Sequence, residues 1–395
     1  MPARSRPHRA SEDPTSAKGP DVIIIGAGVI GLAVGWRLSQ GGAHVTIVDR
    51  GAAGSGASHA AAGMLAVCAE AEPGEQDLVS LGRASQSLWP KFAAELEAAS
   101  GVAIDVRSEG TLVVATTAAD SARIAHHLTY QKSLGLPVAW ISAAEARRRE
   151  PHLAPGIAGA VWSPEDHQVD NRKLAAALKI AASKAGADIR EQCCVHRLLV
   201  RNDRVSGIVL DNAAEIPADV VVLAAGAWSR DIAGLPPALR PPVRPIKGQM
   251  LALQMDPVAP LVTHVVRAHN VYMVPRRDGR LIVGATTEEK GFDLALTAGG
   301  VLALLEAAWR LVPSIEELPI AEMWVGHRPG SRDDAPILGR GPVEGLVYAT
   351  GHHRNGILLT PVTATMIARL VLDGMADPAI APFGLERFVT ARAAE

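Results

Sequence analysis

Cysteine is scarce: the 395-residue chain holds three, Cys68, Cys193 and Cys194. These thiols form neither a disulfide framework nor the paired spacing of a zinc site. A reducing, cytoplasmic compartment is therefore expected, with Cys193 and Cys194 read as neighbours on opposite faces of a strand. Aromatic residues are few, at 4%, and neither sign of charge dominates: 39 Lys and Arg against 41 Asp and Glu leave a formal net charge of −2. That balance offers no electrostatic footprint for nucleic acid or an anionic membrane. Long apolar runs are missing as well. The first apolar stretch meets Trp36 and Arg37 before the roughly twenty residues that a membrane helix needs.

The opening MPARSRPHRASEDPTSAKGP is polar, basic at first and rich in Pro and Ser, the composition of a disordered tail over residues 1–19. Glu12 and Asp13 break its basic run, and regularly placed glycines follow, which argues against a secretion signal.

What is present begins with DVIIIGAGVIGLAVGWRL, Asp21 to Leu38. Val22 to Ile25 is a short β-branched run suited to a strand buried on both faces. Gly26, Gly28 and Gly31 follow as G-x-G-x-x-G: the first permits the tight turn, the second lets a pyrophosphate approach the backbone, and the third packs helix on strand. A helix over residues 30–39 presents its N-terminal N–H groups to phosphate. A second strand, HVTIVDR, ends in Asp49, eighteen residues beyond Gly31, where a carboxylate can accept from ribose hydroxyls. Strand, turn, helix, strand and acid in register predict dinucleotide binding.

Three further segments favour FAD over NAD. GSGASHAAAGML is small and polar, then apolar, as a groove for an extended pyrophosphate and flavin would be. ADVVVLAAGAWS is a second buried strand ending in a small-residue turn at Gly226. GLVYATGHHRNGILLTP repeats the grammar, with Gly351, a polar loop, Gly356 and a helix expected from about Ile357, its N-terminus facing the pyrimidine edge of a flavin. No second nucleotide fingerprint and no C-x-x-C pair appears, so the electrons are expected from a small organic substrate.

In this order and spacing, GAGVIGLAVGWRL, ASHAAAGML, VDNRKLAAAL, VVLAAGAWS, RPIKGQM, YMVPRRDGRLIVGATTEE, HRPGSRDDAPILGR and GHHRNGILLTP resemble the D-amino-acid oxidase family of flavoproteins, most nearly its glycine oxidase branch of bacterial thiamin biosynthesis. The resemblance covers nearly all of the chain after the tail. It implies an α/β fold, α+β overall: a Rossmann-like FAD-binding domain from residues 20–90, 151–240 and 325–390, and a substrate domain with a largely antiparallel sheet from 91–150 and 241–324. The residues agree, since VRPIKGQMLALQM, NVYMVPRRDG and RLIVGATTEE read as consecutive strands with a hairpin turn at Arg277 to Gly279, and EGTLVVATT as another strand. Helical patterns cover residues 81–97, 174–185 and 300–311.

Carried over by position, the resemblance implies FAD contacts at Val29, Ile30, Asp49, Arg50, Ala57, Ser58, Ala62, Gly63 and Met64. It adds Val195 at the adenine, and His352, His353, Arg354, Asn355, Gly356, Ile357 and Leu358 around the flavin. His59 stands one place from the histidine that some relatives use for covalent attachment, and no cysteine follows DDAPILG, so noncovalent FAD is expected. His353 replaces a common aromatic, and Thr287 stands where relatives can carry Met. Adjacent His352 and His353 lack a third ligand, so no metal is expected.

A substrate carboxylate needs directed donors, and arginine supplies a bidentate fork. By the resemblance Arg328 binds that carboxylate, Tyr272 assists through its hydroxyl, and Arg354 is a further substrate residue. Taken alone, the same residues also read as a loop charge, a packed strand tyrosine and a salt bridge bracing the loop. The reaction implied is oxidative deamination of glycine, sarcosine or small D-amino acids, with hydride passing from Cα to flavin N5. The imine yields an oxo acid and ammonia or passes to thiazole synthesis, and O2 is reduced to H2O2. Family members are often tetramers, so a homo-oligomer is expected. The alternatives are a D-amino-acid dehydrogenase or sarcosine oxidase of the same fold, or a flavin-binding subunit without its own catalysis.

Overall fold

The computed structural model describes residues 19–390, so the tail expected over 1–19 lies, apart from Gly19, outside the described residues. Val22 to Ile25 do form a strand, Asp21–Ile25, buried on both faces. Each such aliphatic side chain removed from water contributes about 1.5–3 kcal/mol. The helix Val29–Gln40 then crosses to the strand His44–Val48, which pairs in parallel with the first.

These strands sit inside a six-stranded sheet ordered Ile337–Arg340, Leu346–Thr350, Val220–Leu223, Asp21–Ile25, His44–Val48, Asp188–Arg190. All its pairings are parallel except that of Ile337–Arg340 with Leu346–Thr350. Side-chain alternation divides the core. Val22 and Ile24 point to the face covered by the helices Val29–Gln40, Gln76–Ser100, Asn171–Lys184 and Thr360–Leu372. Ile23 and Ile25 point to the other face, against the three-stranded sheet Val195–Arg201, Arg204–Leu210 and Glu215–Pro217.

The second large sheet has eight strands in the order Ile320–Gly330, Arg244–Gln254, Arg280–Gly284, Val271–Pro275, Val265–Ala268, Thr111–Ala115, Gly159–Ser163, Ala139–Ser142. It is antiparallel throughout, apart from the parallel pair Val265–Ala268 and Thr111–Ala115. Leu251, Leu253, Met273 and Val283 face the helix Ala298–Leu311, while Met250, Ala252, Val274 and Ile282 face Ala62 and the interior cleft.

Three expectations need correction. Division of the chain at 151 and 325 does not follow the sheets: Gly159–Ser163 belongs to the eight-stranded sheet, and Ile320–Gly330 runs through the second boundary. Pairing with distant strands, rather than position in the chain, decides membership. Cys193 and Cys194 precede the strand Val195–Arg201 rather than lying in it, because Cys193 N–H donates to the Asp49 carbonyl across the sheet edge; all three cysteines are free. The helix after the glycine-bounded loop, Thr360–Leu372, begins at Thr360 and not near Ile357, with Pro361 in its first turn, where a missing N–H costs nothing. Val195, expected at the adenine, is the first residue of the strand Val195–Arg201, and its side chain is buried in the core. Among the described residues no helix is long and apolar enough to cross a membrane.

Candidate functional site

The glycine turn is shaped by close approach. Gly26 has φ +109°, and a Cβ there would lie 2.3 Å from the Ala224 carbonyl oxygen. A Cβ at Gly31 would lie 1.9 Å from the Gly26 oxygen, so helix and strand meet backbone to backbone. Asp49 braces this turn: one carboxylate oxygen accepts from Ala27 N–H at 2.7 Å and the other from Gly51 N–H at 2.8 Å. At the helix N-terminus, Val29 N–H donates to Ser58 Oγ at 3.0 Å.

Beside the turn opens a cavity of about 1010 Å³. Its lining includes Val29, Ile30, Ala57, Ser58, Ala62, Gly63, Met64, Gly226 and every residue from Gly351 to Leu358, all expected from sequence. Gly26, Gly28, Gly31, Asp49, Arg50, His59 and Val195 do not line it. The glycines act from behind, by letting backbone segments close up, and Arg50 stacks on Trp228, its guanidinium carbon 4.6 Å from the ring centroid. The segment from Ala57 to Met64 is held by its carbonyls: Asn171 donates to Ser58 O, Trp324 to Ala60 O, and the buried Arg276 to Ala62 O at 2.7 Å.

The far end of the cavity is built on the eight-stranded sheet. Arg328 stands opposite Ile246 in register, and its guanidinium lies over Gly248, where a Cβ would be 2.7 Å from Nη1. Nη1 donates to the Thr286 carbonyl at 3.1 Å, and among the described residues no carboxylate lies within ion-pair distance of Arg328. Tyr272 stands opposite Gly284, where a Cβ would be 2.6 Å from the phenol oxygen. Burial raises the Tyr272 hydroxyl and Arg328 offsets only part of that, so it stays protonated and can donate. Thr287 also lines this end. Because Gly248 clears the space for Arg328, Gly248→Ala is expected to weaken substrate binding about tenfold, the effect of about 1–3 kcal/mol of overpacking. FAD content, measured by flavin absorbance, should not change; equal substrate affinity in the variant would contradict this placement.

Arg354 lines the cavity with its charge already matched. Its Nη2 donates to both oxygens of Glu75 at 2.9 Å, and its Nε lies 3.3 Å from Glu70. The distances match the loop brace. Glu70 also binds Arg267 at 2.6 Å. Burial pushes the Glu70 carboxyl up, but Arg267 and Arg354 outweigh it and hold it below the usual carboxylate range. Both histidines of the loop are neutral at neutral pH. Burial lowers His352 to about 3, its Nε2 lying 3.1 Å from Thr363 Oγ1; burial, with Arg354 and Arg328 against Asp334, lowers His353 as well. Sequence reading missed Glu70, Glu75, Arg267 and the clearing glycines Gly248 and Gly284. The two glycines lie in the quoted segments RPIKGQM and YMVPRRDGRLIVGATTEE, where nothing local marks their role, and only the run of acids in AEAEPGE hinted at Glu70 and Glu75.

A helix N-terminus and glycine-rich segments along a groove of this volume, with Arg328 at the far end of the same cavity, are the arrangement of a flavoenzyme site. The family model for FAD-dependent oxidoreductases of the DAO type matches residues 21–370, and the chain belongs to that family. A glycine oxidase of Geobacillus kaustophilus is 40% identical over 372 residues, covering 93% of this chain and 97% of that protein. Its crystal structure superposes with a TM-score of 0.86. A bifunctional ThiO/ThiG protein of Trichormus variabilis is 38% identical over 93% of this chain, which spans 55% of that protein. The crystal structure of an iminodiacetate oxidase from Chelativorans is 30% identical, with a TM-score of 0.83, covering 92% of this chain and 98% of that one. The residues here fit FAD: the groove runs from the N-terminus of Val29–Gln40, and at Gly226 a Cβ would meet no heavy atom within 4 Å.

Proposed function

We propose that the protein is a glycine oxidase, oxidising glycine, and more broadly sarcosine and small D-amino acids, to an imine that water hydrolyses to glyoxylate or another oxo acid plus ammonia (methylamine from sarcosine), with O2 reduced to H2O2. One observation carries the reading: Arg328, uncompensated by any carboxylate, stands beside the protonated Tyr272 at the end of the flavin groove.

Val29 and Ile30, with the 57–64 and 351–358 segments, would hold FAD, which supplies the two-electron acceptor when bound. The Arg328 fork binds the substrate carboxylate, and the Thr286 carbonyl fixes its direction. The Tyr272 hydroxyl donates a further hydrogen bond, orienting Cα within the cavity. The apolar wall of Met250, Ala62 and Ala285 excludes water from that carbon. Neither His352 nor His353 carries a charge to repel or protonate the amine, so the amine can stay neutral, as loss of hydride from Cα requires. The fused ThiO/ThiG relatives support delivery of the imine to a thiazole synthase.

The test is peroxide release in air with glycine, sarcosine and D-alanine, together with flavin bleaching without oxygen. Glycine should give both signals. Silence with all three would sink the proposal, and bleaching without peroxide would favour a dehydrogenase.

A further inference from the structure

Four arginines line the cavity; Arg310 pairs with Glu306 at its exposed rim, which leaves Arg267, Arg328 and Arg354 inside, yet a substrate with one carboxylate needs one. Glu70 is placed between the other two. One of its oxygens meets Arg267 at 2.6 Å and the other faces Arg354 Nε at 3.3 Å, while Glu75 takes the remaining side of Arg354. Two cations are thus cancelled by two carboxylates, and among the described residues Arg328 has none beside it. His353 beside them is held neutral, and Glu72 and the Arg310–Glu306 pair belong to the more exposed rim.

The placement of Glu70 is built in. Cys68 and Ala69 N–H donate to the two oxygens of the buried Asp166 at 2.9 and 2.7 Å, and Gln131 donates to the Cys68 carbonyl at 2.8 Å. Backbone anchored so close keeps Glu70 on Arg267 and Arg354 and away from Arg328.

We propose that Glu70 sets the substrate class: by cancelling Arg267 and Arg354 it leaves the cavity a single anion subsite, admitting amino acids with one carboxylate and rejecting those with two. This rests on the reading of Arg328 as the carboxylate anchor. A second carboxylate entering the native cavity meets Glu70 or Glu75 with no free cation to receive it. Removing the Glu70 charge frees Arg267, which becomes a second anion subsite.

The experiment titrates the FAD-loaded protein with acetate and with malonate, following flavin absorbance, so that no turnover is needed. Glycine and iminodiacetate are then compared as substrates. In E70Q the preference for malonate over acetate should rise at least about tenfold, with iminodiacetate gaining on glycine in kcat/KM. R267Q, which leaves an excess acid, should move both ratios the opposite way, and E70Q/R267Q should restore them. Should E70Q fail to fold, R267Q still decides by the sign of its shift. Unchanged ratios in the single variants, or a double variant that stays shifted, overturn the proposal. Failure of the wild type to oxidise glycine would refute the glycine reading, whereas the acetate and malonate affinities report on Glu70 independently.

Discussion

Arg328→Ala should bind glycine, or a competing small carboxylate, more weakly by about 2–5 kcal/mol, the cost of leaving a buried anion without its charged partner. That is a factor of about thirty to several thousand in affinity. Two features of the site place the effect here. Among the described residues the guanidinium has no carboxylate beside it, unlike Arg267, Arg310 and Arg354 at the same cavity, and the Gly248 and Thr286 backbones hold it in place. Lysine is no substitute, because it returns the charge without the planar fork. Arg328→Lys should therefore recover only part of the loss. Flavin content should be the same in both variants, since Arg328 lies at the opposite end of the cavity from the helix Val29–Gln40. A glycine affinity in Arg328→Ala equal to the wild type would remove the carboxylate anchor from the account.

The second large effect is expected at Gly31. A valine there puts Cβ at 1.9 Å from the Gly26 carbonyl oxygen, a rigid backbone atom that cannot step aside. The helix must then lift from the turn that presents its N–H groups, with a strain of about 1–3 kcal/mol or more imposed at the point where pyrophosphate must make its closest approach. The purified Gly31→Val protein should be colourless and should take up little flavin from added FAD. Gly156→Ala is the matched control: a Cβ at that glycine meets nothing within 4 Å, so the protein should stay yellow. Stoichiometric flavin in Gly31→Val would show that the close approach is not what the turn requires.

Much of the fold was legible because its signals are local. The β-branched run Val22 to Ile25, the glycine spacing and the strand ending at Asp49 each declare themselves within a few residues, and together they specify a βαβ unit. The turn at Arg277 to Gly279 was legible for the same reason. Element ends were less so: the helix expected from about Ile357 begins three residues later, at Thr360, with Pro361 in its first turn. Sheet membership was less legible still, as the strand Gly159–Ser163 shows, because pairing joins segments far apart in the chain.

The chain by itself determined a dinucleotide-binding turn after the strand Asp21–Ile25, and by resemblance it pointed to Tyr272 and Arg328 as substrate residues. Only the tertiary structure decided which arginine is left with its charge. Arg354 meets Glu75 across a separation of 279 residues, and Arg267 meets Glu70 across 197. Ion pairs form wherever folding brings opposite charges within about 4 Å. The order of residues along the chain records no such distance. Which cation the described residues leave without a carboxylate is therefore a property of the folded cavity.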